Sequence, residues 1–148
     1  MKGYIYGIYL DNQLVYIGKT NRSVGVRIGE HLEGVFAERK DSQDFMSNPE
    51  LYTAWRQSEC WNVKILKSLN GNNYELETAE KDLIELFKPQ YNKQGVTLEY
   101  QYSDAAIWEH VTGFNLSTWV DKMKKGKISP QELQDQVMAV QTWKSEKS

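Results

Sequence analysis

Residues 4–18, YIYGIYLDNQLVYIG, set the start of the fold. Tyr, Ile, Val and Leu crowd both halves of this stretch, and the Asp11-Asn12 pair between them is a turn signal. Residues 4–10 and 13–20 are therefore predicted to form a β-hairpin. The stretch contains three tripeptides of related composition: Tyr4-Ile5-Tyr6, Gly7-Ile8-Tyr9 and Tyr16-Ile17-Gly18. Composition alone does not show which tyrosine of the first strand is the functional one.

The pairing register of the hairpin decides which side chains meet. A three-residue loop, Leu10-Asp11-Asn12, would place Tyr6 directly opposite Tyr16. A two-residue Asp11-Asn12 turn would place Tyr6 opposite Ile17 instead. Because side chains alternate between the faces of a strand, this second register would send the two tyrosines to opposite faces of the sheet.

The rest of the chain predicts an α+β fold with the element order β-β-α-α-β-α. The predicted elements after the hairpin are a helix over about 23–38, a helix from Pro49 to about Ser58, a strand over 61–69 and a helix over 74–87. This small three-stranded antiparallel sheet packed among helices is assigned to a domain of residues 1–95. Residues 96–148 are assigned to a helical extension of three short helices, the last with a capping box at Ser129 and Glu132.

Composition excludes several classes of protein. A chain of 148 residues with 40% apolar content can bury one core but not two large domains. No apolar run approaches the roughly 18 residues of a membrane helix, and the polar start is unlike a signal peptide, so a cytoplasmic protein is expected. The single cysteine, Cys60, allows neither an internal disulfide nor a zinc site with paired cysteines.

Net charge also limits the choice of partner. The charge is −2 and the pI is near 5.7, so the chain has no general attraction to nucleic acid. If DNA or RNA is the partner, binding must come from a local patch.

Two helices carry candidate site residues. Arg27 and His31 stand at i and i+4, so they project from the same flank of the first helix. In the last helix of the domain, Glu80 points into the apolar arc formed by Leu76, Leu83 and Phe87. Burying a carboxylate requires compensation, which implies a cation such as Arg27 or a bound divalent ion. A purely structural Arg–Glu pair and an ordinary buried imidazole remain open.

Four segments together resemble the GIY-YIG nuclease domain over about residues 3–93. They are YIY at 4–6, YIG at 16–18, RIGEH at 27–31, and Glu80 followed by LIELFKPQYN at 83–92. In that family the tyrosine of the first motif precedes that of the second by about ten or eleven positions. This spacing selects Tyr6 over Tyr9 as the partner of Tyr16, and it leaves Tyr4 where the family usually has glycine.

The resemblance implies an endonuclease that hydrolyses DNA phosphodiester bonds with one divalent ion. Glu80 would hold Mg²⁺ or Mn²⁺, and Arg27 would stabilise charge on the scissile phosphate. Tyr6 would be the general base or would position the attacking water, its pKa lowered by the metal and the cation. Tyr16 and His31 would orient that network or shuttle protons.

The resemblance also implies residues that contact or support the substrate. Gly18 would let the chain leave the second strand tightly, toward Lys19 and Arg22, which would contact flanking phosphates. Asn92 matches the closing asparagine of the family and would support the site rather than react. A solvated loop is the alternative interpretation of Lys19 and Arg22.

The extension lies outside the resemblance. Its tryptophans and the acidic balance leave open a second function, a catalytically weak or inactive module that binds DNA or a partner protein through residues 96–148. That segment is also a candidate surface for a homo-oligomer. The small size favours a stand-alone nuclease of phage, mobile-element or bacterial type over the multidomain repair relatives.

Overall fold

The computed structural model describes residues 2–36 and 47–147. Its strands are β1 (Lys2–Leu10), β2 (Gln13–Thr20) and β3 (Trp61–Asn70). Its helices of several turns are α1 (Val24–Phe36), α2 (Pro49–Gln57), α3 (Asn73–Phe87), α4 (Asp104–Thr112), α5 (Leu116–Lys124) and α6 (Pro130–Lys147). The predicted element order and the α+β class are confirmed for these residues. The last two residues of the predicted first helix, 37 and 38, lie outside the described residues.

The sheet has the strand order β2-β1-β3, and both pairs are antiparallel. β1 is therefore the central strand. Its residues Ile5, Tyr6 and Ile8 are each no more than 1% exposed. A central strand that is buried on both faces places its two sets of side chains into two separate cores.

The hairpin has the two-residue turn of the second predicted alternative, but its register shifts before it reaches Tyr6. Asp11 and Asn12 form a two-residue turn with φ of 49° and 66°, and Leu10 pairs with Gln13. The pairing shifts between Ile8 and Tyr9, because β2 contains one extra residue, Val15, that forms a β-bulge. Beyond the bulge, neither predicted partner of Tyr6 is correct.

The bulge brings the two motif tyrosines onto one face of the sheet. Ile8 lies opposite Tyr16, and Tyr6 lies opposite Gly18. The rings of Tyr6 and Tyr16 both contact the His31 ring, with centroids 5.9 and 6.1 Å away. With a two-residue turn and no bulge, the two tyrosines would lie on opposite faces of the sheet.

Two apolar clusters cover the two faces of the sheet. The first joins β1 and β2 to α1 and α2; its members are Tyr6, Ile8, Leu10, Val15, Ile28, Val35, Leu51, Tyr52 and Trp55. The second joins the opposite face to α3; its members are Ile5, Ile17, Leu76, Ala79 and Ile84. Tyr6 and α3 are therefore held by different cores, and the strand between them belongs to both.

The chain divides into two compact units. The first comprises Met1–Gly71 with Leu76–Tyr100, and the second comprises Asn72–Glu75 with Gln101–Ser148. The predicted boundary lay after residue 95, whereas the first unit continues to Tyr100. Within the second unit the buried carboxylate of Glu109 accepts hydrogen bonds from Asn73 N and Nδ2, at 2.8 and 2.9 Å. No helix in the described part of the chain has the length and apolarity needed to cross a membrane.

Gly18 allows the close approach of Tyr6. A Cβ at residue 18 would lie 2.5 Å from both Cζ and Oη of Tyr6. We expect Gly18→Ala to lower the free energy of unfolding by about 1–3 kcal/mol, because the ring must move within a packed core. Urea unfolding followed by circular dichroism measures this change.

Gly29→Ala is the matched control. A Cβ at residue 29 of α1 meets no described atom within 4 Å, so alanine should stabilise the helix by about 0.5–1 kcal/mol. Equal stability of the two variants would contradict the Tyr6–Gly18 contact.

Candidate active site

A buried imidazole links two tyrosines at the centre of the first face. His31, which is 2% exposed, is hydrogen-bonded through Nε2 to Tyr6 Oη at 2.8 Å and through Nδ1 to Tyr52 Oη at 2.6 Å. A neutral imidazole has one N–H and one acceptor nitrogen, so it can accept a proton from one phenol while donating to the other. The three side chains therefore form a continuous hydrogen-bonded chain from β1 through α1 to α2.

Tyr52 is a site residue that the sequence reasoning missed. Its neighbours Leu51 and Trp55 are 1% exposed, and Tyr52 itself is 2% exposed. In the sequence it belongs to the apolar side of a short helix, and no motif distinguishes it from a core residue. Only the packing of α2 against α1 shows that its hydroxyl reaches His31.

Burial controls the ionisation of Tyr6. Loss of solvent raises the pKa of the Tyr6 phenol well above its ordinary value of 10.0, and Tyr16 and Glu80 raise it further. Arg27 lowers the pKa, as predicted for a cation, but burial outweighs this effect. In the protein alone the hydroxyl is therefore protonated at neutral pH.

Arg27 lies at the edge of this chain and is held by a carboxylate. Its Nη1 lies 3.3 Å from Glu30 Oε2, while Arg22 Nη2 lies 2.6 Å from Glu30 Oε1. The Arg27 side chain is 22% exposed, so one side of it meets solvent. Glu30 holds two guanidinium groups together, and both are forked donors that suit phosphate oxygens.

Glu80 is held by a tyrosine. The Tyr100 hydroxyl donates to Glu80 Oε1 at 2.5 Å. Burial raises the pKa of the Glu80 carboxyl above its ordinary value of 4.5 and Glu77 adds to this, while Tyr100 and Lys19 lower it. The cation that lowers the pKa of Glu80 is Lys19, whereas the sequence suggested Arg27.

The apolar arc predicted around Glu80 is only partly correct. Leu76 is 3% exposed, but Phe87 is 53% exposed. Phe87 is the last residue of α3, and Lys88 follows with φ of 47° before Pro89. Phe87 therefore lies outside the core, whereas Ile84 in the same turn is 2% exposed and packs in it.

Glu77 is a second buried acid beside Glu80 that the sequence reasoning also missed. It is 3% exposed, and its Oε2 lies 4.0 Å from Lys19 Nζ. Lys19 pairs with Ile5 across the strands. Glu77 and Glu80 are three residues apart on one helix, and this spacing could have indicated that the two carboxylates are neighbours.

Asn92 is bound to the backbone of β2. Its Nδ2 donates to Ile17 O at 2.8 Å, and its Oδ1 accepts from Ile17 N at 2.7 Å. The next residue back, Tyr91, donates its N–H to the bulged Val15 at 2.9 Å. These bonds fix the outer edge of β2 at the residues next to Tyr16 and Gly18.

The residues around Glu80 fit a hard divalent cation. Among the described residues no group of three or more His, Cys, Asp and Glu side chains could enclose a metal. Mg²⁺ does not require such a cage, because it retains several waters and binds through one or two carboxylates with substrate phosphate oxygens. Within the described part of the chain Glu80 Oε2 accepts no hydrogen bond, and the nearby Glu77 adds negative charge.

Comparison with known proteins identifies the first part of the chain. The family model of the GIY-YIG catalytic domain matches residues 2–93. Neither the curated proteins nor the solved structures gave a significant match.

The His31–Tyr52 hydrogen bond can be tested by stability. We expect Tyr52→Phe to lower the free energy of unfolding by about 1–3 kcal/mol, because a buried ring nitrogen loses its partner. Tyr9→Phe is the control, since Tyr9 is a half-buried position of β1 whose hydroxyl has no hydrogen bond among the described residues. Chemical denaturation of both variants gives the comparison, and equal values would contradict the role of Tyr52.

The buried Glu80 carboxyl should make stability depend on pH. Because its pKa is raised on folding, the folded chain retains a proton that the unfolded chain loses, and stability falls as pH rises from about 4.5 through the folded-state pKa. Glu80→Gln does not titrate and can still accept from Tyr100, so we expect a higher melting temperature than wild type at pH 7. The difference should shrink as pH is lowered to 4.5.

Glu85→Gln is the matched control on the same helix. Glu85 is exposed and lies 3.9 Å from Lys81, so its replacement should change stability by less than about 0.5 kcal/mol. A Glu80→Gln variant that melts below wild type at pH 7 would show that the carboxylate stabilises the fold.

Proposed function

The chain belongs to the GIY-YIG family, whose members are usually nucleases. From this premise we propose that it is an endonuclease that hydrolyses DNA phosphodiester bonds with one divalent ion, Mg²⁺ or Mn²⁺. The observation that carries the proposal is the hydrogen bond between the buried Tyr6 hydroxyl and His31 Nε2, on the helix that also carries Arg27. In the proposal this pair and the Glu80 carboxylate serve one phosphate.

Tyr6 and His31 activate the attacking water in this proposal. Burial opposes a free phenolate, so a relay is better suited to the site than a stored charge. Tyr6 Oη accepts a proton from water as its own proton passes to His31 Nε2, 2.8 Å away. The Nδ1–H of the resulting imidazolium donates a hydrogen bond to Tyr52 Oη, 2.6 Å away. The positive charge stays delocalised in a ring surrounded by aromatic faces.

The cations at the edge of the site bind the phosphate. Arg27 is forked and partly exposed, and Glu30 holds it near Arg22. In the proposal Arg27 donates to the oxygens of the scissile phosphate, where negative charge increases in the transition state. Arg22 and Lys19 contact neighbouring phosphates, which supplies the local patch that a chain of net charge −2 needs.

Glu80 holds the divalent ion in this proposal, and Glu77 adds charge beside it. The bound ion supplies a Lewis acid for the phosphate and the leaving oxygen. Glu80 approaches from α3, on the face of the sheet opposite His31. Water activation and metal binding are thereby assigned to side chains from two different cores, which in the proposal act on the same phosphate.

Cleavage of supercoiled plasmid and short branched DNA duplexes tests the proposal. Wild type should nick DNA in Mg²⁺ or Mn²⁺ and not in EDTA. We expect Tyr6→Phe and Arg27→Lys each to reduce the rate by about 10²–10³-fold, because each removes a group that acts in the transition state. Glu80→Gln should abolish cleavage, while Glu85→Gln should cut like wild type.

Two outcomes would contradict the proposal. DNA binding without cleavage on every substrate would favour the alternative, a module that binds DNA or a protein partner without turnover. If the protein cut RNA but not DNA in a parallel panel, the proposed phosphodiesterase activity would stand and the proposed DNA substrate would be wrong.

A further inference from the structure

Tyr100 contacts the candidate metal carboxylate from outside the matched domain. The family match ends at residue 93, yet the Tyr100 hydroxyl donates to Glu80 Oε1 at 2.5 Å. We propose that Tyr100 is a positioning residue that orients the Glu80 carboxylate for a divalent ion. This inference rests on the proposed function, because it assigns the metal to Glu80.

The chain after residue 93 folds back onto α3 to place this tyrosine. Thr97 N and Leu98 N donate to Lys93 O at 2.9 and 3.0 Å, which closes a tight turn. Within the turn Gly95 has φ of +85°, and a Cβ there would lie 2.7 Å from Ile84 Cγ2. Glycine is therefore required by both the backbone conformation and the contact with α3.

Packing holds the Tyr100 ring as well as its hydroxyl. The ring packs against the second apolar cluster, which contains Leu76 and Ile84 of α3 on either side of Glu80 in sequence. A ring held by the same helix that carries the carboxylate presents its hydroxyl from a fixed direction. The hydrogen bond then selects one rotamer of Glu80 from the many open to a glutamate.

The chemistry of the donor suits a metal ligand. A phenol binds Oε1 without adding a positive charge, so the carboxylate keeps its attraction for a cation. An arginine or lysine at the same position would compete with the metal for that charge. Since Oε2 accepts no hydrogen bond within the described residues, the bond to Oε1 directs this second oxygen toward an ion.

Binding of Mn²⁺ to the full chain, followed by electron paramagnetic resonance, tests the inference without activity. Tyr100→Phe keeps the ring and removes the hydrogen bond. We expect its Mn²⁺ affinity to fall by about 10-fold or more, as is typical when a residue that orients a metal ligand is lost. Tyr102→Phe, which removes a tyrosine hydroxyl in the second unit, should bind Mn²⁺ like wild type.

The metal dependence of cleavage provides a second measurement. Tyr100→Phe should require about 10-fold more Mn²⁺ for half-maximal rate, while its rate at saturating Mn²⁺ remains within a few-fold of wild type. A structural defect would lower the saturated rate instead. Circular dichroism and the melting temperature confirm that the variant is folded, and the conservative replacement keeps the packed ring.

The outcomes separate this inference from the proposed function. If Glu80→Gln loses Mn²⁺ binding and Tyr100→Phe retains the wild-type affinity, the positioning role is wrong and the metal assignment stands. If Glu80→Gln binds Mn²⁺ like wild type, or if wild type binds none, the metal assignment fails and the role of Tyr100 fails with it.

Discussion

The Tyr6 ring lies across Gly18, and the rest of the site depends on this contact. The contact exists because Val15 adds one residue to β2 and shifts the register of the hairpin. With the shift, Tyr6 and Tyr16 share the face that meets His31. Without it, one tyrosine would enter the core beneath α3, and the imidazole would lose one of its aromatic neighbours.

The two cores contain different polar groups: an imidazole and phenols on one face of the sheet, and carboxyl groups on the other. On the face of α1 and α2, His31 is bound by two phenols, and burial keeps Tyr6 protonated. On the face of α3, burial raises the pKa of the Glu80 carboxyl, and the neighbouring Glu77 is 3% exposed. The central strand thus separates a hydrogen-bonded Tyr6–His31–Tyr52 chain from the carboxylates of α3.

Much of this arrangement could be predicted from the sequence. Alternation of apolar residues predicted the hairpin, and helical periodicity predicted the two helices that carry Arg27, His31 and Glu80. The register could not be predicted, since a bulge changes the pairing without any change in composition. Tyr52 and Tyr100 could not be found either, because a tyrosine in an apolar pattern has the same signal whether its hydroxyl meets solvent or a functional side chain.

In the proposed mechanism the Tyr6 face and the Glu80 face converge on one site. Paramagnetic broadening by Mn²⁺ measures this directly in a chain whose tyrosine rings are labelled with ¹³C. We expect the ring signals of Tyr100 and Tyr6 to broaden together at the lowest Mn²⁺ concentrations, and Glu80→Gln to remove both effects. Broadening of Tyr100 while Tyr6 remains sharp would contradict it, because the metal and the phenol would then belong to separate places.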